Sequence, residues 1–242
     1  MFDKLIGATL RFPFDYAQMG EEILSCRSAW KPARARAFQV IDGLAGTLPF
    51  RSESIENYKR LPYVEEGMEP VQGTIGSPHR FYLRRNPRTW SDDQFATMKA
   101  APHSDFMWVP EAMERCSYTR NCIASLPFKS VGVVFAFVLE NSFLPTHRDY
   151  AWSTELDGEY DKSKSLGLSL IPETGGIGTQ IWHPGDEKVY QINGNATLFD
   201  DAMWHGTKIP AGGSRRIIIR VFGEMDWEQL ENYIVKNTII SL

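Results

Sequence analysis

His147 and Asp149 stand two residues apart in the stretch LPTHRDY. On a strand, positions i and i+2 point to the same face, so an imidazole and a carboxylate would sit side by side with Arg148 turned away. His205, behind ATLFDDAMW, offers a second imidazole from a later strand region. Two imidazoles and one carboxylate form a donor set that grips a divalent metal such as iron(II) on one side and leaves the other side open. Alone, His-x-Asp is a weak signal in a chain with five histidines. A surface His and a surface Asp are the plain alternative, and for His205 it is a satisfied core or turn histidine.

The stretch SRRIIIRVF adds charge to the pattern and reads as a strand. One face would hold Arg215, Ile217, Ile219 and Val221; the other Arg216, Ile218, Arg220 and Phe222. The first face is apolar but for Arg215 and is the expected inward one. A buried guanidinium needs an anionic partner, and a carboxylate matches its fork of donors. The sequence offers no obvious internal partner, so the carboxylate of a ligand is the expectation. A strand-end arginine reaching solvent is the alternative.

Other candidates carry less. Asp200 and Asp201 precede His205 and suit an orienting role beside a ligating histidine better than acid/base work. Ser165 and Ser169 read as ordinary strand polarity, and the Arg34–Arg36 and Arg84–Arg85 clusters as solvated faces. Nothing ties His79 or His103 to a metal. Trp152 follows the metal pair closely enough to touch a substrate. No P-loop, dinucleotide fingerprint or GxSxG elbow is present, and GGIG at 175–178 lacks the required spacing.

The elements that must position these residues fall into two textures. Up to about residue 128 the chain reads as helices and loops. Helices are expected over Tyr16–Arg27, Ala33–Gly43 and Ser54–Arg60, from Asp92 to before Pro102, and across MWVPEAMERCSYTRNCIA with Pro110 in its first turn. FYL at 81–83 is a possible short strand. From Ser130 on, strands are expected over 130–143, 146–152, 165–171, 178–182, 188–192, 196–200 and 215–222, separated by PETGG, HPGD, NGN and PAGG. Asp226 would cap a last helix, WEQLENYIVKN, before a closing TIISL strand. Many short strands with such turns suggest a sandwich or barrel, not βαβ units. The expectation is one domain, 1–242, of α+β, mainly β class: a helical, loop-rich part over 1–128 and a β-core over 129–242 ending in a helix.

With 43% hydrophobic residues, the 242-residue chain can build a core without staples. Its net charge of −4 argues against a nucleic-acid surface. Three cysteines without regular spacing fit neither a disulfide framework nor a zinc site and suggest a reducing cytoplasm. No signal peptide or membrane-spanning run is evident. Oligomeric state is not legible.

LPTHRDY, then FDDAMWH, then an arginine ten residues past His205 and VF soon after resemble the iron(II)/2-oxoglutarate-dependent dioxygenases. Within them the chain looks most like the aspartyl/asparaginyl β-hydroxylase and proline hydroxylase branch. The likeness spans roughly Val131 to Phe222. It implies a double-stranded β-helix (jelly roll) core with the N-terminal helices packed on it. It implies iron(II) on His147, Asp149 and His205, with 2-oxoglutarate as co-substrate and O2 as oxidant. It makes Arg215 the anchor of the far carboxylate of 2-oxoglutarate, with the adjacent Arg216 as the alternative, and His183, in QIWHPGD, a further co-substrate residue. It implies hydroxylation of a small, amino-acid-like molecule with release of succinate and CO2. Asp149 favours hydroxylation over halogenation, because related halogenases lack that carboxylate. Hydroxylation of a protein-bound residue and a non-catalytic jelly-roll binding protein are the competing readings.

Overall fold

The computed structural model describes residues 5–29, 31–32, 79–83, 108–140, 166–183, 188–201, 203–207 and 214–241. The expected helices over 33–43, 54–60 and 92–101 and the expected strand over 146–152 lie outside these residues.

The N-terminal part opens with strand β1 (Leu5–Thr9) and helix α1 (Tyr16–Ser25). Asp15 starts α1: its carboxylate accepts from the Gln18 N–H at 3.0 Å, satisfying an amide that has no partner inside the helix. Strands β2 (Lys31–Pro32) and β3 (His79–Tyr82) follow. The expected single helix around Pro110 is two, α2 (Pro110–Arg115) and α3 (Ser117–Ala124), with Pro110 in the first turn as expected. Cys116, at φ −118° and ψ 43°, breaks the run. Glu22 of α1 holds the break open from outside, accepting from the N–H groups of Tyr118 (2.9 Å) and Thr119 (2.8 Å) at the start of α3.

Then come β4 (Phe128–Glu140), β5 (Leu166–Glu173), β6 (Thr179–His183), β7 (Lys188–Ile192), β8 (Ala196–Asp200), β9 (Trp204–Gly206) and β10 (Arg215–Met225). Asp226 caps the short helix α4 (Trp227–Leu230), and β11 (Ile240–Ser241) ends the described chain. The last helix is shorter than expected, because after Leu230 the chain turns through two 3-10 segments.

Among the described residues, eight strands form one sheet in the order β11-β1-β8-β5-β10-β4-β3-β2 and three form another in the order β7-β6-β9. Every pairing among the described residues is antiparallel. This is a mainly antiparallel, two-sheet architecture. Three strands from the N-terminal part, β1, β2 and β3, belong to the larger sheet, so that part is not purely helical. β1 escapes a sequence reading because Gly7 interrupts it, and glycine inside a strand normally weakens the pattern. Here a side chain at Gly7 would strike Ile192 and come within 3.2 Å of Phe199 Cβ.

The larger sheet is buried on both faces. Leu168, Leu170, Leu198, Ile217, Ile219 and Val221 pack with Met19 and Ile23 of α1 in the main core. On the opposite face, Phe137, Leu139, Ile171 and Ile218 form a second cluster. Ile6 and Phe199 of this sheet join Ile181 and Ile192 of the smaller one in a third. The second face is therefore the one turned toward the smaller sheet.

Candidate active site

His205 sits on β9, opposite Ile181 of β6. Its Nδ1 lies 2.8 Å from the carbonyl oxygen of Met203. A carbonyl only accepts, so Nδ1 carries a proton, and Nε2 is the nitrogen a metal would take. Phe199 packs against the ring, centroid to centroid 4.8 Å.

Nε2 of His205 looks toward Asp201, whose Oδ1 is 3.9 Å away. Asp201 belongs to the tight connection between β8 and β9, where the Met203 N–H donates to the Asp200 carbonyl at 3.0 Å. Its buried carboxylate is bound by Nη2 of Arg220. Arg220 also donates from Nη1 to Ser169 Oγ at 2.6 Å. Its guanidinium carbon lies 4.5 Å from the ring centre of Phe199 and 4.9 Å from that of Phe222. Cation–π attraction adds to the ion pair there.

Arg216 also faces the smaller sheet. It is the largest fully buried side chain among the described residues, at 0% exposure. Nη1 donates to the carbonyls of Thr174 (2.9 Å) and Ile177, and Nη2 to Thr179 Oγ1 (3.1 Å). All three acceptors are neutral, and Nε has no partner among the described residues. Burial lowers its pKa to about 10, and a guanidinium stays charged at neutral pH.

Arg215 is placed differently from the expectation. Its Nη2 is 2.8 Å and its Nε 2.9 Å from Glu173 Oε2, and Nη1 is 3.4 Å from Glu140 Oε1. The internal partners that the sequence did not reveal are these two glutamates, supplied by the neighbouring strands β5 and β4. The expected inward face of β10 is buried in the main core, and the other face is buried as well. The apolar face of β10 packs on the helices, and the face carrying Arg216 and Arg220 meets the smaller sheet. Among the described residues, the buried arginine without an anionic partner is Arg216.

Of the other expected site residues, His147 and Asp149 lie outside the described residues. His183 closes β6 opposite Lys188, and its side chain lies outside them too. Among the described residues no three His, Cys, Asp or Glu side chains come together as a metal site. Ser169 is not mere strand polarity, since it is buried against Arg220. Arg220 itself was not singled out from the sequence. Its signal was its position four residues after Arg216 on one strand face, a pattern that normally reads as solvated. An open groove of about 820 Å3 lies elsewhere, lined by Thr9–Phe12, Val189–Asn195 and Thr238–Ile240 and not by His205, Asp201, Arg216 or Arg220.

No family model matches the chain, and neither does any curated protein sequence. Solved structures do align with it. One is an oxidoreductase of the 2OG-Fe(II) oxygenase family from Burkholderia pseudomallei, at 12% identity over 89% of this chain and 95% of that one, TM-score 0.35. Another is a prolyl-4-hydroxylase from Pseudomonas putida, at 10% identity over 90% and 91%, TM-score 0.40. A third is a prolyl hydroxylase from Trichoplax adhaerens in complex with a hypoxia inducible factor peptide, at 11% identity over 86% and 78%, TM-score 0.43. Overlaps this loose assign no activity to the chain, and its function has to be read from its own residues. No helix among the described residues is long and apolar enough to cross a membrane.

Proposed function

We propose that the chain is an iron(II)- and 2-oxoglutarate-dependent oxygenase that hydroxylates a small, amino-acid-like molecule in the cytoplasm, on a double-stranded β-helix core within a single domain. The observation that carries this reading is Arg216. A fully buried guanidinium with only neutral acceptors and an unpartnered Nε is costly, by several kcal/mol, unless an anion joins it. A dicarboxylate co-substrate supplies that anion. We therefore assign the anchor to Arg216, with Thr179 beside it, in place of Arg215, whose charge Glu173 and Glu140 already answer.

The metal would be held by His147, Asp149 and His205, with His183 as a further co-substrate residue. His205 fits: the Met203 carbonyl holds a proton on Nδ1, so Nε2 would be the coordinating nitrogen. Iron(II) held there with 2-oxoglutarate would supply the activation of O2, with one oxygen atom ending in succinate, CO2 released, and the other inserted into a substrate C–H bond. The protein orients the co-substrate through Arg216 and excludes water with the apolar cluster of Phe137, Leu139, Ile171 and Ile218 on the same sheet face.

The test is succinate release with iron(II), ascorbate and a panel of free amino acids and peptides. Wild type should turn over 2-oxoglutarate, and His147→Ala and His205→Ala should not. Turnover unaffected by both substitutions, or none in wild type with any panel member, would sink the reading. Response to peptides alone would make the substrate a protein-bound residue.

A further inference from the structure

The Asp201–Arg220 pair has no task in the reaction proposed above, yet it is built with care. Asp201 brings a buried carboxylate to within 3.9 Å of His205 Nε2. A divalent metal on that nitrogen would find a second hard oxygen donor beside it. Three protein ligands leave three coordination positions for a chelating co-substrate and oxygen, and a fourth ligand would take one of them. Arg220 stands against this. It binds the same Oδ1 and is itself fixed by Ser169 and by two aromatic rings. The sheet also leaves room for the pair, because a Cβ at Gly167 would strike both Arg220 Nη2 and Asp201 Oδ2.

We propose that Arg220 is a positioning residue that holds the Asp201 carboxylate out of the metal's coordination sphere and so keeps positions open for 2-oxoglutarate. This rests on the oxygenase reading. Arg220 binds the carboxylate oxygen that lies nearest Nε2 and offsets the charge of the group, which lowers its worth as a metal donor.

The test uses the full chain freed of metal, titrated with Mn(II) by electron paramagnetic resonance and then with 2-oxoglutarate by calorimetry. Wild type should bind Mn(II) and His205→Ala should not. Absence of that contrast removes the oxygenase reading and this inference with it. Where the contrast holds, Asp201→Asn should bind Mn(II) within about threefold of wild type, since ligand-shell losses run to ~10–100-fold. Arg220→Met should bind Mn(II) at least ~10-fold tighter and 2-oxoglutarate at least ~10-fold weaker, a scale set by gain or loss of one carboxylate ligand. The double variant Arg220→Met/Asp201→Asn should return both affinities toward wild type.

A large loss of Mn(II) affinity in Asp201→Asn makes Asp201 a ligand and overturns the proposal. So does unchanged Mn(II) affinity in folded Arg220→Met. Weak 2-oxoglutarate binding that persists in the double variant overturns it too, because Arg220 would then act on the co-substrate directly. If Arg220→Met does not fold, having left a carboxylate buried alone, Asp201→Asn and the double variant decide the matter.

Discussion

Arg216 Nη2 donates to Thr179 Oγ1 across 3.1 Å, tying β10 of the larger sheet to β6 of the smaller one. Thr179→Val keeps the shape of the side chain and removes the acceptor. The buried guanidinium then loses one of three hydrogen bonds, at a cost of ~1–3 kcal/mol. Urea unfolding should show a lower midpoint with an unchanged slope. Wild-type stability in this variant would mean that the two sheets are not joined there.

Gly167 tests the neighbouring ion pair. Gly167→Ala sets a methyl group against Arg220 Nη2 and Asp201 Oδ2. Both side chains are pinned, so the strain should cost ~1–3 kcal/mol, as overpacking does in other cores. Thermal unfolding reads this directly. An alanine tolerated without loss would show that the pair has slack.

Cys26 and Cys116 bring their sulfurs to 3.5 Å, both side chains fully buried. The hydrogen bond from Cys116 holds Cys26 below the ordinary thiol range, while the same contact and burial push Cys116 up. For stability the two oppose: the lowered pKa of Cys26 favours folding as pH rises, and the raised pKa of Cys116 favours it as pH falls. The rate of oxidation is the cleaner readout, because the thiolate is the reactive form. With hydrogen peroxide as the two-electron acceptor, a Cys26–Cys116 disulfide should form and the chain lose the mass of two hydrogens. The rate should level off below the pH at which an ordinary cysteine does. Intact-mass and peptide mass spectrometry across pH check this, with Cys122 expected to remain reduced. A profile matching a free thiol, or no such cross-link, would contradict it.

Much of the strand pattern was legible from local signals. Lys188–Ile192 and Ala196–Asp200 form as expected, because turn residues bracket runs of strand-forming side chains. Pro110 and Asp226 mark helix starts for equally local reasons. What the sequence hid was non-local. Whether an arginine on β10 is paired depends on Glu173 and Glu140, which only the registers with β5 and β4 bring alongside. A strand buried on both faces also gives no inward side to an alternation argument. The lone buried charge expected at Arg215 lies one residue on, at Arg216. Ser169 and Arg220 were missed for the same reason: each looks like surface polarity until the opposite sheet covers it.

Binding of 2-oxoglutarate to the Mn(II)-loaded protein tests the central claim most directly, in wild type, Arg216→Met and Arg215→Met. If Arg216 receives the far carboxylate, Arg216→Met should weaken binding by ~100-fold or more, about 2.7 kcal/mol, as expected for one desolvated charge pair. Arg215→Met loses only partly exposed pairs, worth ~0–1 kcal/mol to stability, and should bind nearly as wild type does. Undiminished binding in Arg216→Met, or a loss confined to Arg215→Met, would contradict the account.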